Sequence, residues 1–156
     1  MKTAAPRLEY TEFRSLADGV AQGLTAANAS SNATLPVELL ELVRQRASLE
    51  NGCEFCLVLH ADRLSRAGVS NERIEALAAW RDASCYSARE RAALALSDAM
   101  TRLAPTGVPD SILQAASEHF SARELSALVS AIAVINAWNR IAVTLRFSPE
   151  SAASPR

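Results

Sequence analysis

Asn51-Gly52-Cys53-Glu54-Phe55-Cys56-Leu57-Val58-Leu59-His60 is the stretch on which the reading of this chain turns. Asn-Gly punctuates a turn, so a helix is expected to begin beside Cys53 and to run to Ala67, where Gly68 can take the left-handed conformation that ends helices. On that helix Cys53, Cys56 and His60 fall at i, i+3 and i+7 and share one face. Two sulfurs and an imidazole then converge at a helix start. Free N–H groups and the helix dipole favour a negative charge there, and a thiolate is such a charge, the form in which cysteine acts as nucleophile or metal ligand.

Working outward, the residues before this stretch predict a helix from about Thr34 and Pro36 to Leu49, since proline is tolerated where a first-turn N–H has no partner. Its apolar side holds Leu39, Leu42, Val43 and Leu49; Glu41 lies beside that stripe and can point into a neighbouring pocket, with Arg46 close by. Further back, Phe13, Leu16, Ala17, Val20 and Leu24 predict an amphipathic helix over about 11–27, followed by a loop at Ala29–Ala33. Downstream, Ser70 caps a short helix around Ile74, Leu77 and Ala78. Two capping boxes, Ser87-Ala88-Arg89-Glu90 and Ser121-Ala122-Arg123-Glu124, open later helices. Pro109 opens another between them. The two boxes lie in nearly the same phrase, which reads as a reused cap or a faint duplication.

From Ala127 to Ala137 only Ser130 and Asn136 interrupt an apolar run too short to cross a bilayer, so it reads as a core helix. Trp138-Asn139-Arg140 reads less readily as a substrate entrance than as polar groups that satisfy buried partners or a subunit contact, of which the interface is the stronger reading. Residues 148–156 read as a flexible tail. No strand alternation competes with these patterns, so the fold class is all-α.

At 156 residues the chain suits one domain, with 49% apolar and 21% charged residues and only five glycines. A net charge of -1 supplies no field for nucleic acid or an anionic membrane, so neither is expected as a partner. The charged N-terminus shows no secretory run, which points to the cytoplasm. Three cysteines form an odd set, and a close pair in a reducing compartment reads as redox or metal chemistry. Cys85 stands apart and is expected as a small buried hydrophobe.

Glu41, the 51–56 turn and His60 resemble the alkylhydroperoxidase D (AhpD) core family, within the carboxymuconolactone decarboxylase-like superfamily. Arg46-Ala47-Ser48, Ala67-Gly68-Val69-Ser70, Ala78-Ala79-Trp80-Arg81, Arg89-Glu90-Arg91-Ala92-Ala93-Leu94 and Asn136-Ala137-Trp138-Asn139-Arg140 extend the resemblance. It implies an AhpD-like helical domain of about seven helices with its core over 35–147, preceded by an N-terminal helix and loop over 1–34. It further implies assembly into a homo-oligomer, a trimer or a hexamer.

The activity implied is that of a thiol-dependent peroxidase, an antioxidant oxidoreductase that acts on small hydroperoxides without a cofactor. In that reading Cys56 attacks the peroxide, Cys53 resolves, and His60 with Glu41 relays protons; a lipoyl-bearing or thioredoxin-like dithiol resets the pair. Helix-end electrostatics alone favour Cys53 as the more acidic sulfur, whereas His60, one turn after Cys56, favours Cys56. Many relatives have a second histidine where this chain has Phe55. Two other functions fit the same residues: a lactone decarboxylase of the superfamily, and a non-enzymatic zinc-binding or redox-sensing oligomer with Glu41, Cys53, Cys56 and His60 as ligands.

Overall fold

A computed structural model describes residues 5–152. In chain order the helices are α1 (Tyr10–Leu16), α2 (Asp18–Asn32), α3 (Val37–Asn51), α4 (Glu54–Arg66), α5 (Asn71–Glu75), α6 (Ala88–Thr101), α7 (Asp110–Ser117), α8 (Ala122–Leu145) and α9 (Pro149–Ala152). A single 3-10 turn, Ala76–Ala79, continues α5. Among the described residues there is no strand, only an isolated bridge between Ala104 and Gly107. The architecture of the described residues is therefore all-α, as expected. Among the described residues the seven expected helices become nine, because Ala17 breaks the first one (φ -119°, ψ 45°) and a short helix forms at Pro149–Ala152.

The helix at the centre is α3. Every residue from Leu39 to Ser48 is buried, and the helix packs against α4, α6 and α8. A helix enclosed on all sides is ordinarily apolar all round. This one carries Glu41, Arg44, Arg46 and Ser48, each of which finds a partner inside the fold. Arg46, for example, donates from Nε to Asp98 at 2.6 Å, and Asp98 also accepts from Trp80 and Arg81.

Apolar packing around α3 falls into three groups. Leu40, Val43, Leu96, Leu128 and Ile132 join α3 to α6 and α8. Leu42, Leu64, Leu77, Trp80 and Leu94 close the side facing α5. Cys53, Phe55, Cys56, Ala142 and Phe147 form the third group, beneath Tyr10 and Phe13. Both expected capping boxes are formed, and Ser70 caps α5.

At 24 residues α8 extends well beyond the apolar run that marks it. By length and composition it could span a bilayer, but it packs against α2, α3, α4, α6 and α7, as a core helix does.

Three expectations change. The loop placed at Ala29–Ala33 is helical to Asn32, because its polar residues bond inward: Ser31 donates to Ala127 O at 3.1 Å, and Asn32 accepts from Arg44. Leu16 and Val20, counted on the buried side of the first helix, are exposed at 74% and 52%, since the break at Ala17 turns α2 relative to α1. Residues 149–152 of the expected tail form α9, which packs on α4 and buries Ala152; residues 153–156 lie outside the described residues.

Candidate active site

Gly52 links the two helices that carry the candidate residues. It has φ 63° and ψ 35°, the left-handed cap of α3, with Gly52 N–H donating to Leu49 O and Cys53 N–H to Ser48 O. A Cβ there would meet nothing within 4 Å, so the backbone conformation rather than space calls for glycine. Helix α8 pins this turn. Asn51 Nδ2 lies 2.9 Å from the side-chain oxygens of both Asn136 and Asn139, and Asn139 donates to Ser48 Oγ at 3.0 Å.

Cys53 is the N-cap of α4, and its sulfur accepts the Cys56 backbone N–H at 3.4 Å. The two sulfurs lie at disulfide-bonding distance, with Cα atoms 5.3 Å apart. Cys53 thus sits at the helix start and His60 one turn after Cys56. Cys53 is only 1% exposed, and Cys56 is also buried.

Glu41, on α3, reaches this end of α4. Its Oε2 lies 2.6 Å from His60 Nδ1, and its Oε1 accepts from Arg44 Nη1 at 2.6 Å, with Arg63 at 3.8 Å. Glu41 is 2% exposed and His60 4%. Arg44 is itself buried; its second terminal nitrogen donates to Asn28 (3.1 Å) and Asn32 (2.9 Å), while its Nε has no partner.

Burial alone would raise the Glu41 pKa. The His60 hydrogen bond and the charges of His60, Arg44 and Arg63 outweigh it and hold the carboxyl at about 2. Burial lowers the His60 pKa below its ordinary value against the pull of Glu41, and Arg63 and Arg44 act in the same direction as burial. At neutral pH the pair is thus a carboxylate and an uncharged imidazole. With no proton on Glu41, Nδ1–H donates to it and Nε2 is left to accept a proton.

A pH dependence of stability follows. Both folded pKa values are depressed, so the stability they confer is complete above the unfolded values and is lost as pH falls. His60 acts first, below about 6.5, and Glu41 follows between about 4.5 and 2. For Glu41 the contribution at neutral pH is about 3 kcal/mol. Denaturant unfolding at about pH 7, 5 and 3 should show a steeper loss for the native chain than for Glu41→Gln. Equal slopes would mean that Glu41 is not held as an anion.

Cys56 and His60 line a cavity of about 250 Å³, with Tyr10, Phe55, Leu59 and Trp138 on its apolar side and Asn28, Asn32 and Arg63 on its polar side. Ligand pockets commonly measure roughly 300–1,000 Å³, so this one suits a small molecule. Trp138 lines this cavity, and Asn139 is wholly buried, satisfying the polar side chains of Ser48 and Asn51. Cys85, expected to be buried, is exposed.

Structure thus gathers Glu41, Cys53, Cys56 and His60 into one place. It adds Arg44, Asn28 and Asn32, which sequence reading missed; Arg44 follows Glu41 by three residues, and that spacing was the available signal. Among the described residues no group of three or more His, Cys, Asp or Glu side chains is arranged to hold a metal ion.

Fold and site together define an AhpD-like helical domain with a buried cysteine pair beside a glutamate and a histidine. Comparison with known proteins places it more closely. The chain belongs to the carboxymuconolactone decarboxylase family, whose sequence model matches residues 15–99. An uncharacterised protein of Bacillus subtilis, YdfG, is 37% identical over 105 residues, which are 67% of this chain and 71% of that protein. A second, YnjA of Escherichia coli, is 31% identical over 84 residues, 54% of this chain and 46% of that longer protein.

Among solved structures, a protein of unknown function from Agrobacterium tumefaciens, described as a candidate AhpD antioxidant defence protein, superposes with a TM-score of 0.85 at 33% identity. The match covers 92% of this chain and 97% of that one. An uncharacterised peroxidase-related protein from a Silicibacter species shares the fold, with a TM-score of 0.72 at 23% identity over 81% of this chain and 68% of that one. Family, fold and a cysteine pair at disulfide distance fit a peroxidase-type role.

Proposed function

We propose that the protein is a thiol peroxidase that reduces small organic hydroperoxides or hydrogen peroxide. The observation that carries this reading is the Glu41–His60 contact, a carboxylate and an uncharged imidazole one helical turn from a cysteine that lines a cavity. His60 takes the Cys56 proton, and the thiolate attacks the outer peroxide oxygen. The O–O bond breaks, Cys56 becomes a sulfenic acid, and the leaving alkoxide takes the proton back as an alcohol. Cys53, as a thiolate, then displaces hydroxide from the sulfenic sulfur; protonation gives water and the disulfide remains.

A dithiol must restore the pair, and a lipoyl-bearing or thioredoxin-like protein supplies the right chemistry. Assembly into a homo-oligomer and a cytoplasmic setting belong to the same reading. Exposed Leu16 and Val20 supply apolar surface for such assembly.

The test is a thiol count. Reduced protein has three thiols, and one equivalent of hydroperoxide should leave one, the exposed Cys85. Retention of all three sinks the proposal. A lactone decarboxylase reading would be favoured instead by lactone turnover that survives thiol alkylation.

A further inference from the structure

Two cavities meet at the cysteine pair, and they divide it. The smaller, of about 250 Å³, is lined by Cys56 and His60 but not by Cys53. A larger one, of about 530 Å³, is lined by Cys53 but by neither Cys56 nor His60. Phe55 and Ala142 are common to both and form the wall between them. Phe55 is held by Tyr10 and Phe147, with ring centroids 4.9 Å and 5.4 Å away. Centroid spacings of roughly 4.5–7 Å mark favourable aromatic packing, so the wall is a fixed part of the core.

We propose that the pair is served by two entrances: hydroperoxide reaches Cys56 through the smaller cavity, and a reducing dithiol reaches Cys53 through the larger. This rests on the peroxidase reading for its oxidant. Thiol–disulfide exchange is directional. A thiolate attacks a disulfide along the S–S axis, from the side opposite the sulfur that leaves. Attack on Cys53 therefore comes from the side away from Cys56, and the larger cavity borders Cys53 alone.

In the first exchange a bond forms from the reductant's sulfur to Cys53 Sγ and the Cys53–Cys56 bond breaks, so Cys56 departs as a thiolate beside His60. The leaving sulfur is the one with a basic neighbour and a cavity ready for the next peroxide. The reductant's second thiol, as a thiolate, then attacks its own first sulfur, Cys53 leaves as a thiolate and is protonated, and the reductant departs as a disulfide. Two electrons pass to the protein, with one proton to Cys53 and the other shared by the Cys56–His60 pair.

The depth of Cys53 selects the kind of reductant. Cys53 is only 1% exposed, which favours a dithiol carried on an arm that enters the cavity over a cysteine fixed on the flat surface of a folded protein. The walls fit such an arm, with Val143 and Phe147 apolar and Glu54, Arg146 and Glu150 charged.

The test separates the two half-reactions by rapid acid quench and alkylation. Ala29 and Val143 are both exposed helical positions, each lining one cavity only, so Ala29→Trp and Val143→Trp narrow one entrance each without entering the core. Ala29→Trp should slow oxidation by cumene hydroperoxide by about 10²-fold, the loss expected when attack is displaced by ~1 Å, and leave reduction by dihydrolipoamide at the native rate. Val143→Trp should do the reverse. Both variants slowing the same half-reaction, or neither slowing either, overturns two entrances. Reduction can be followed from a disulfide made by any oxidant. A native chain inert to peroxide therefore removes the peroxidase reading, while an unslowed reduction in Val143→Trp removes the reductant's entrance independently.

Discussion

Cys56→Ser should abolish hydroperoxide turnover, while Cys53→Ser should still consume one equivalent of peroxide and then stop. A serine hydroxyl at position 56 is too weak an acid for His60 to ionise at neutral pH, and it cannot be oxidised as sulfur can. Without Cys53 the first step is intact, and the product is a sulfenic acid with no partner at i-3. Dimedone labelling of Cys53→Ser after peroxide should mark Cys56 and nothing in the native disulfide. The opposite pattern, with a label on Cys53 in Cys56→Ser and none on Cys56, would assign the attacking role to Cys53. Helix-end electrostatics support that alternative, since the Cys53 sulfur accepts an N–H at the start of α4. The experiment therefore decides between two physical effects.

The second large effect concerns Glu41. Removal of its carboxylate leaves Arg44 buried, with a positive charge and two neutral amides as its remaining partners. Loss of one member of a buried pair costs about 3–5 kcal/mol. Folded proteins are stable by only about 5–15 kcal/mol, so Glu41→Ala should approach the limit of folding. Glu41→Leu combined with Arg44→Met should be more stable than either single variant, because the combination leaves no orphaned charge. Neither substitution should restore peroxide reduction, since His60 has then lost the group that fixes its tautomer. Glu41→Gln keeps an oxygen that can accept from Arg44, so it should cost less stability than Glu41→Ala, and it should lose about 10²–10⁴-fold in rate, the usual contribution of a positioned acid–base pair. Urea unfolding and steady-state rates check both halves; a double variant no better than the singles would show that the Glu41–Arg44 pair is not the source of the loss.

The local signals in the chain were legible because the residues that make them act on their immediate neighbours. Gly52, Gly68 and the capping serines Ser70, Ser87 and Ser121 act within a turn, and they sit where the helix ends are found. Cys56 and His60 belong to one helix, whose period relates them, and Cys53 is the residue that caps it. Glu41 was visible only beside its family resemblance, because its partner lies on another helix. What stayed hidden depended on packing between distant segments. Ser31 looks like a loop residue until Ala127 O is placed against it, and Asn28 and Asn32 look like solvent-facing amides until Arg44 reaches them. Cys85 failed for the opposite reason: a preference for burial is a tendency of cysteine, and its connecting segment leaves the thiol exposed.

The left-handed glycine at the foot of α3 has one more consequence. From Glu41 to His60 the acid, both sulfurs and the base occupy one continuous span, folded back on itself as a hairpin of two helices. Adding or deleting a single residue within α3 past the carboxylate would swing it by about 100° around the helix axis and aim it away from the imidazole. Elsewhere a surface loop can change length at little expense. Here the reading frame of the fold and the chemistry are the same thing, so variation in this segment is confined to substitution.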